Sequence, residues 1–177
     1  MKTQCSERKK SDAMEEQVGD VPSVGSWRFD TEEERWRELK GGELHYEVPA
    51  IKRRKLKILT FNVLFDTWHG KSYKKSIVRS PLRYAWQFRT FEEMDADFIC
   101  LNEVTPSFVQ MLKREEWAKR YYVSDVSEEG VTRKPFGNLL LSKYPMERCH
   151  AFTMRDTSRS ALHGIMMNCP NIQPGVR

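Results

Sequence analysis

The stretch Asp95-Ala-Asp-Phe-Ile-Cys-Leu-Asn-Glu-Val104 constrains this chain more than any other. Phe98 to Leu101 form an unbroken apolar run, which predicts a short strand buried on both faces, with Glu103 just past its end. In open α/β sheets ligands gather outside the carboxyl ends of strands. A second strand, Leu56-Lys-Ile-Leu-Thr-Phe-Asn-Val63, puts Asn62 in the equivalent place. Two buried strands that each deliver an oxygen ligand to one rim make half of a metal site. Each residue also has an ordinary reading: a strand-end asparagine bonds local backbone, and a strand-end glutamate is simply solvated. What sets Glu103 apart is the sequence after it, where Thr105 reads as an N-cap and Pro106 as the first helical residue. Strand, carboxylate and helix start are compressed into one turn, so the carboxylate has little freedom to wander.

The remaining pattern alternates before it becomes all strand. Ser80-Pro81 opens a helix to about Met94, with Leu82, Ala85, Trp86, Phe88 and Phe91 as its apolar face. A second helix from Pro106 to about Arg120 turns Phe108, Val109, Met111 and Leu112 inward. Strands are predicted at Tyr121–Val126, Phe136–Ser142, Glu147–Arg155 and Ser160–Met167. The order strand, helix, strand, helix, then strands suits an α/β fold of the α+β kind, a mixed sheet with helices on one outer face.

Residues 1–50 read as a polar, flexible tail, with a short helix at Thr31–Leu39 because Thr31-Glu-Glu-Glu34 has capping-box form. Trp27 and Trp36 are the groups that would dock it. Residues 51–177 hold the domain. Charge divides at the same place: the first 50 residues sum to −4 and the rest to +9, within a total of +5. A basic domain favours a polyanionic partner such as nucleic acid, although many soluble domains are mildly basic without one. Lys52-Arg-Arg-Lys55 reads as an import signal, a phosphate-facing patch or a solvated strand start. The loop from Phe65 to Ser80 leaves the Asn62 rim carrying Lys71, Lys74, Lys75 and Arg79, which are candidates to meet phosphate oxygens, with His69 and Tyr73 either beside them or ordinary surface residues. The four cysteines, Cys5, Cys100, Cys149 and Cys169, have no paired spacing, which argues against a zinc site or a disulfide framework. No apolar run reaches membrane-spanning length and the first residues lack the apolar centre of a secretory signal, so the expected location is intracellular, in nucleus or cytoplasm.

Thr60-Phe-Asn-Val63, Ala96-Asp-Phe-Ile-Cys-Leu-Asn-Glu-Val104 and Gly137-Asn-Leu-Leu-Leu-Ser-Lys-Tyr-Pro145 together resemble the first three motifs of the endonuclease/exonuclease/phosphatase superfamily, in order. Within it, Glu103-Val-Thr-Pro-Ser-Phe-Val-Gln-Met-Leu112 is most similar to the phosphodiesterases that remove tyrosyl adducts from DNA 5′ ends. The resemblance covers about Leu56 to Met167 and implies half of a four-layer α/β/β/α sandwich, with metal and phosphate bound where the rims of two sheets meet. It implies a metal-dependent phosphodiesterase acting on nucleic acid, DNA more than RNA, with Mg2+ or Mn2+ as cofactor. Glu103 would hold the cation, and Asn62 would fix the phosphate and the hydrogen bonds on the metal side. Hard oxygen ligands with retained waters suit those cations better than zinc.

The chain departs from the family pattern in places. Asn102 stands where a glutamine is usual, and Leu64 where some family nucleases carry an aspartate. Nothing after Met167 matches the family's later Asp-x-Asn and Asp-His motifs, and neither His150 nor His163 follows an aspartate. The expectation is an N-terminal half, inactive alone, with Ile58, Phe61, Phe98, Leu101, Leu139 and Leu141 partly uncovered for want of a facing sheet. The alternatives are a non-catalytic member that binds nucleic acid or a protein, and a deadenylase or phosphatase of the same superfamily.

Overall fold

A computed structural model describes residues 23–39, 55–65, 67–68, 71–72, 80–127, 136–146, 148–154 and 162–168. In chain order the strands are β1 (Ser23–Val24), β2 (Ser26–Asp30), β3 (Arg35–Leu39), β4 (Ile58–Asn62), β5 (Thr67–Trp68), β6 (Lys71–Ser72), β7 (Phe98–Val104), β8 (Tyr122–Val123), β9 (Gly137–Ser142), β10 (Arg148–Met154) and β11 (Leu162–Asn168). The helices are α1 (Ser80–Met94) and α2 (Pro106–Leu112), with a 3-10 turn at Ala118–Arg120. Six strands make one sheet in the order β3-β2-β8-β9-β7-β4, mixed because β4 and β7 run parallel while the other pairs run antiparallel. A second sheet has the order β1-β10-β11, and β5 pairs with β6. This is the α+β architecture expected.

The apolar run of β7 divides between two faces, as the period of a strand requires. Ile99 and Leu101, with Leu139 and Leu141 of β9, meet Tyr84, Phe88 and Phe91 of α1 and Phe108, Val109 and Leu112 of α2 in one buried cluster. Edge-to-face rings knit the two helices together: Phe108 lies 4.9 Å from Tyr84 and 5.0 Å from Phe88, centroid to centroid. On the other face Cys100 packs beside Tyr122, Leu140, Met146 and Cys149, the last carried by β10 of the second sheet. The expected exposure is therefore corrected. Leu101, Leu139 and Leu141 are buried in the cluster with the helices, Phe98 is buried beside Tyr144 with ring centroids 5.6 Å apart, and of the six only Ile58 (66 % exposed) and Phe61 (36 %) stay open.

Three local expectations are also corrected. The Thr31–Leu39 segment is not a helix: residues 31–34 turn between β2 and β3, and Asp30 Oδ1 accepts from the N–H groups of Glu32 and Glu33 at 3.0 and 3.1 Å. The hairpin wins because pairing puts Phe29 against Trp36, ring centroids 5.8 Å apart, and lets Trp27 and Trp36 pack on the core. The inner face of α1 is Tyr84, Phe88 and Phe91, while Leu82 and Trp86 are 63 % and 70 % exposed. Only one arc of a helix can face the sheet, and the i, i+4, i+7 set that meets Phe108 occupies it. α2 stops at Leu112, after which the N–H groups of Arg114 and Glu115 turn back to the carbonyls of Met111 and Leu112. That tightening brings Trp117 into the core, 2 % exposed against Phe91.

Candidate active site

The rim begins with the register of β4 on β7. Asp97, 3 % exposed, accepts the Lys57 N–H on Oδ2 at 2.9 Å and the Tyr144 hydroxyl on Oδ1 at 3.1 Å, while its own N–H donates to Lys57 O at 2.8 Å. The ladder then sets Ile58 opposite Phe98 and Asn62 opposite Asn102. Because strand side chains alternate, a slip of one residue would send Asn62 to the other face. Asp97 thus fixes, from the far end of the strand, where Asn62 stands.

At the rim the two anticipated residues meet. Asn62 Nδ2 donates to Glu103 Oε1 at 2.8 Å, and the Phe65 N–H reaches Glu103 Oε2 at 3.3 Å. Asn62 Oδ1 in turn accepts from the Leu64 N–H at 2.8 Å. Both carboxylate oxygens are held from β4 and the turn after it, and Glu103 remains half-buried. Glu103 lies within β7 rather than past its end, at a bulge: Leu101 pairs with Leu139 but Val104 with Gly137, so β7 spends one residue more than β9. The backbone there has φ 58°, and Leu64 on the neighbouring turn has φ 60°. Such left-handed conformations cost a non-glycine residue about 1–3 kcal/mol and persist where surroundings over-determine them.

What over-determines them is partly α1, and sequence reasoning missed it. Arg83 Nη2 donates to Leu64 O at 2.7 Å and Gln87 Nε2 to Val63 O at 3.3 Å, so two side chains one helical turn apart grip the strained turn. The available signal was their i, i+4 spacing on a helix that follows the rim loop. On the other side Thr105 caps α2 as expected, its Oγ1 accepting the Phe108 N–H at 3.3 Å with Pro106 at the helix start. Phe65 stacks on Phe136, centroids 4.3 Å apart. Cys100, beneath the rim, has its thiol pushed up by burial, which disfavours a nucleophilic role.

Chemically, the described residues of the rim offer one carboxylate with both oxygens oriented and one carboxamide already used as donor and acceptor. Mg2+ is usually held by one or two carboxylates together with substrate phosphates and several waters, so Glu103 fits as a first protein ligand. Among the described residues no group of three or more His, Cys, Asp or Glu could hold a metal ion. Lys71 belongs to β6, while Lys74, Lys75, Arg79, His69 and Tyr73, like Lys52 to Arg54, lie outside the described residues. Among the described residues no helix is long and apolar enough to cross a membrane.

No curated protein and no solved structure matches this chain. The sequence pattern of the Endonuclease/Exonuclease/phosphatase family matches residues 59–171, well over half of the chain, and covers β4 from Leu59 onward, the rim and both helices. A match of that extent makes this chain a member of the endonuclease/exonuclease/phosphatase family, whose members are in general hydrolases.

Proposed function

We propose that the chain provides the metal side of a phosphodiesterase centre that acts on nucleic-acid phosphodiesters, with the 5′-tyrosyl-DNA bond as the substrate to try first. The observation that carries this reading is the 2.8 Å bond between Asn62 and Glu103, which joins residues 41 positions apart at the carboxyl ends of two parallel strands. Glu103 would hold Mg2+ or Mn2+, and the bound cation would supply charge stabilisation at a phosphoryl oxygen. The chain's own residues do the positioning. Asn62 and the Phe65 N–H keep the carboxylate from rotating, and the Arg83 and Gln87 contacts keep Asn62 and Phe65 in place. With one carboxylate at the described rim, residues 1–177 are expected to bind the cation weakly and to turn over little or no substrate alone.

The test is Mn2+ binding to residues 1–177 by electron paramagnetic resonance, with oligonucleotide binding as a parallel readout. Glu103→Gln removes a charge at nearly constant shape, so Mn2+ affinity should fall at least ~10-fold, about 1.4 kcal/mol, with nucleic-acid binding unchanged. Loss of both would make Glu103 structural, and no change in Mn2+ binding would overturn the reading. A second reading, a non-catalytic member that binds nucleic acid, is favoured by the lack of a three-ligand cluster among the described residues. It predicts wild-type oligonucleotide binding without Mn2+ binding.

A further inference from the structure

The hairpin at the other edge of the six-stranded sheet carries its own arrangement of charge. In the β2–β3 ladder Arg28 stands directly opposite Arg37, so both side chains leave the same face with Cβ atoms about 5 Å apart. Like charges placed directly opposite cost stability, which makes the juxtaposition one that an anion would relieve. Arg28 is also held in place. Its guanidinium carbon lies 5.0 Å from the centroid of the Tyr122 ring and its Nη1 donates to Tyr122 Oη at 2.8 Å, while Tyr122 itself is only 8 % exposed. A guanidinium stacked on a fixed ring loses little freedom when it binds, and that hydroxyl occupies one of its five N–H donors.

Other charged groups of the hairpin stand beside the pair. Arg37 Nε lies 3.6 Å from Asp30 Oδ2, and Arg35, opposite Asp30 in the ladder, pairs with Glu33. Asp30 is held below the usual carboxylate range, first by the Glu33 N–H and then by the Glu32 N–H and the charges of Arg37 and Arg35, so it stays ionised at neutral pH. Arg28 and Arg37 are both exposed on an open strand face, which suits a polymer running across it better than an enclosed small molecule.

We propose that Arg28 and Arg37, seated beside Tyr122, form a phosphate-binding site for the sugar–phosphate backbone of a nucleic acid. The planar fork of arginine matches phosphate oxygens two at a time, and adjacent forks match successive phosphates or both free oxygens of one. The site makes no use of Asn62 or Glu103 and stands whether or not the rim is catalytic. It would hold a strand by its backbone, without reading sequence.

The test is fluorescence anisotropy of residues 1–177 with a single-stranded oligonucleotide lacking a terminal phosphate, titrated across a range of salt. Arg28→Ala with Arg37→Ala should weaken binding ~10-fold and reduce the slope of log affinity against log salt by about 1–2. Arg28→Lys keeps the charge but loses fork and stacking, and should fall between wild type and the double variant. If removal of Arg28 disturbs the fold, as a thermal melt would show, Arg37→Gln leaves the Tyr122 contact intact and should still weaken binding ~3-fold and lower the slope by about 1. Double-variant affinity equal to wild type would overturn the site, and so would Arg28→Lys indistinguishable from wild type, which would mean diffuse charge. Stabilisation by inorganic phosphate without any oligonucleotide binding would assign the arginines to a small phosphate ligand and overturn the nucleic-acid proposal.

Discussion

The two edges of the six-stranded sheet are built in opposite ways. At one, β2 and β3 form a hairpin whose register comes from a local turn, with Asp30 accepting two N–H groups and Phe29 meeting Trp36. At the other, β4 is a parallel strand whose partner β7 begins 40 residues later, Ile58 opposite Phe98. No turn can set that register, and side chains do so instead. Asp97 grips the start of β4, Phe61 meets Phe91 edge-to-face at 5.4 Å, and Arg83 and Gln87 hold the turn beyond its end. The geometry at Asn62 is therefore only as good as contacts made well away from it, whereas the register of the hairpin follows from its own turn.

Removal of the support under the non-local edge should have the largest effect. Phe91 is fully buried and touches both Phe61 and Trp117, so Phe91→Ala should cost about 3–5 kcal/mol in denaturant unfolding. If the comparison holds, Mn2+ affinity at Glu103 should fall in the protein that remains folded, while oligonucleotide binding at the hairpin survives. Next comes Tyr121. Its buried hydroxyl donates to Ala96 O at 2.7 Å, beside the Asp97 clamp, and burial followed by the charge of Asp95 pushes it up to about 12. A phenol with a raised folded value stabilises fully below its ordinary value near 10 and loses that contribution as pH climbs towards 12, at most about 2–3 kcal/mol. Absorbance of tyrosinate followed with unfolding should show the two rising together in that window, and Tyr121→Phe should shift the alkaline transition. The smallest effect on stability is expected at the open strand itself. Ile58→Lys should change unfolding by less than about 0.5 kcal/mol, since Ile58 is largely exposed, yet it should reduce self-association through the β4 edge in sedimentation velocity. A wild-type chain that is monomeric with a sharp melt would show that the edge needs no such protection.

Where the sequence alone was readable follows the same division. Ser80-Pro81, Thr105-Pro106 and the apolar run of β7 are local signals, and the structure has α1 at Ser80–Met94, the cap at Thr105 and the strand at Phe98–Val104. The meeting of Asn62 with Glu103 was legible because polar residues follow the apolar part of each strand, although the register sets Asn62 opposite Asn102 and Glu103 stands one residue further, at the bulge. The hairpin was misread because Thr31-Glu-Glu-Glu34 satisfies a helix-start pattern, while the fact that overrules it, Phe29 opposite Trp36, belongs to pairing across the turn. The exposed Leu82 and Trp86 were misplaced for a related reason: composition shows how apolar a helix is, and its neighbours decide which arc they cover. Arg83 and Gln87 offered only their i, i+4 spacing as a signal, because polar side chains on a helix carry no mark of the carbonyls they will find.

The paired left-handed residues of the rim, Glu103 and Leu64, have a consequence for anyone who would engineer this protein. Glycine adopts that backbone freely, so a library screened only for heat resistance should enrich glycine at position 103, with a gain of up to about 1 kcal/mol. The same change deletes the carboxylate. Thermal selection and the proposed cation site therefore pull on this position in opposite directions, and a variant recovered as the hardiest would be the one without the carboxylate that the proposal needs.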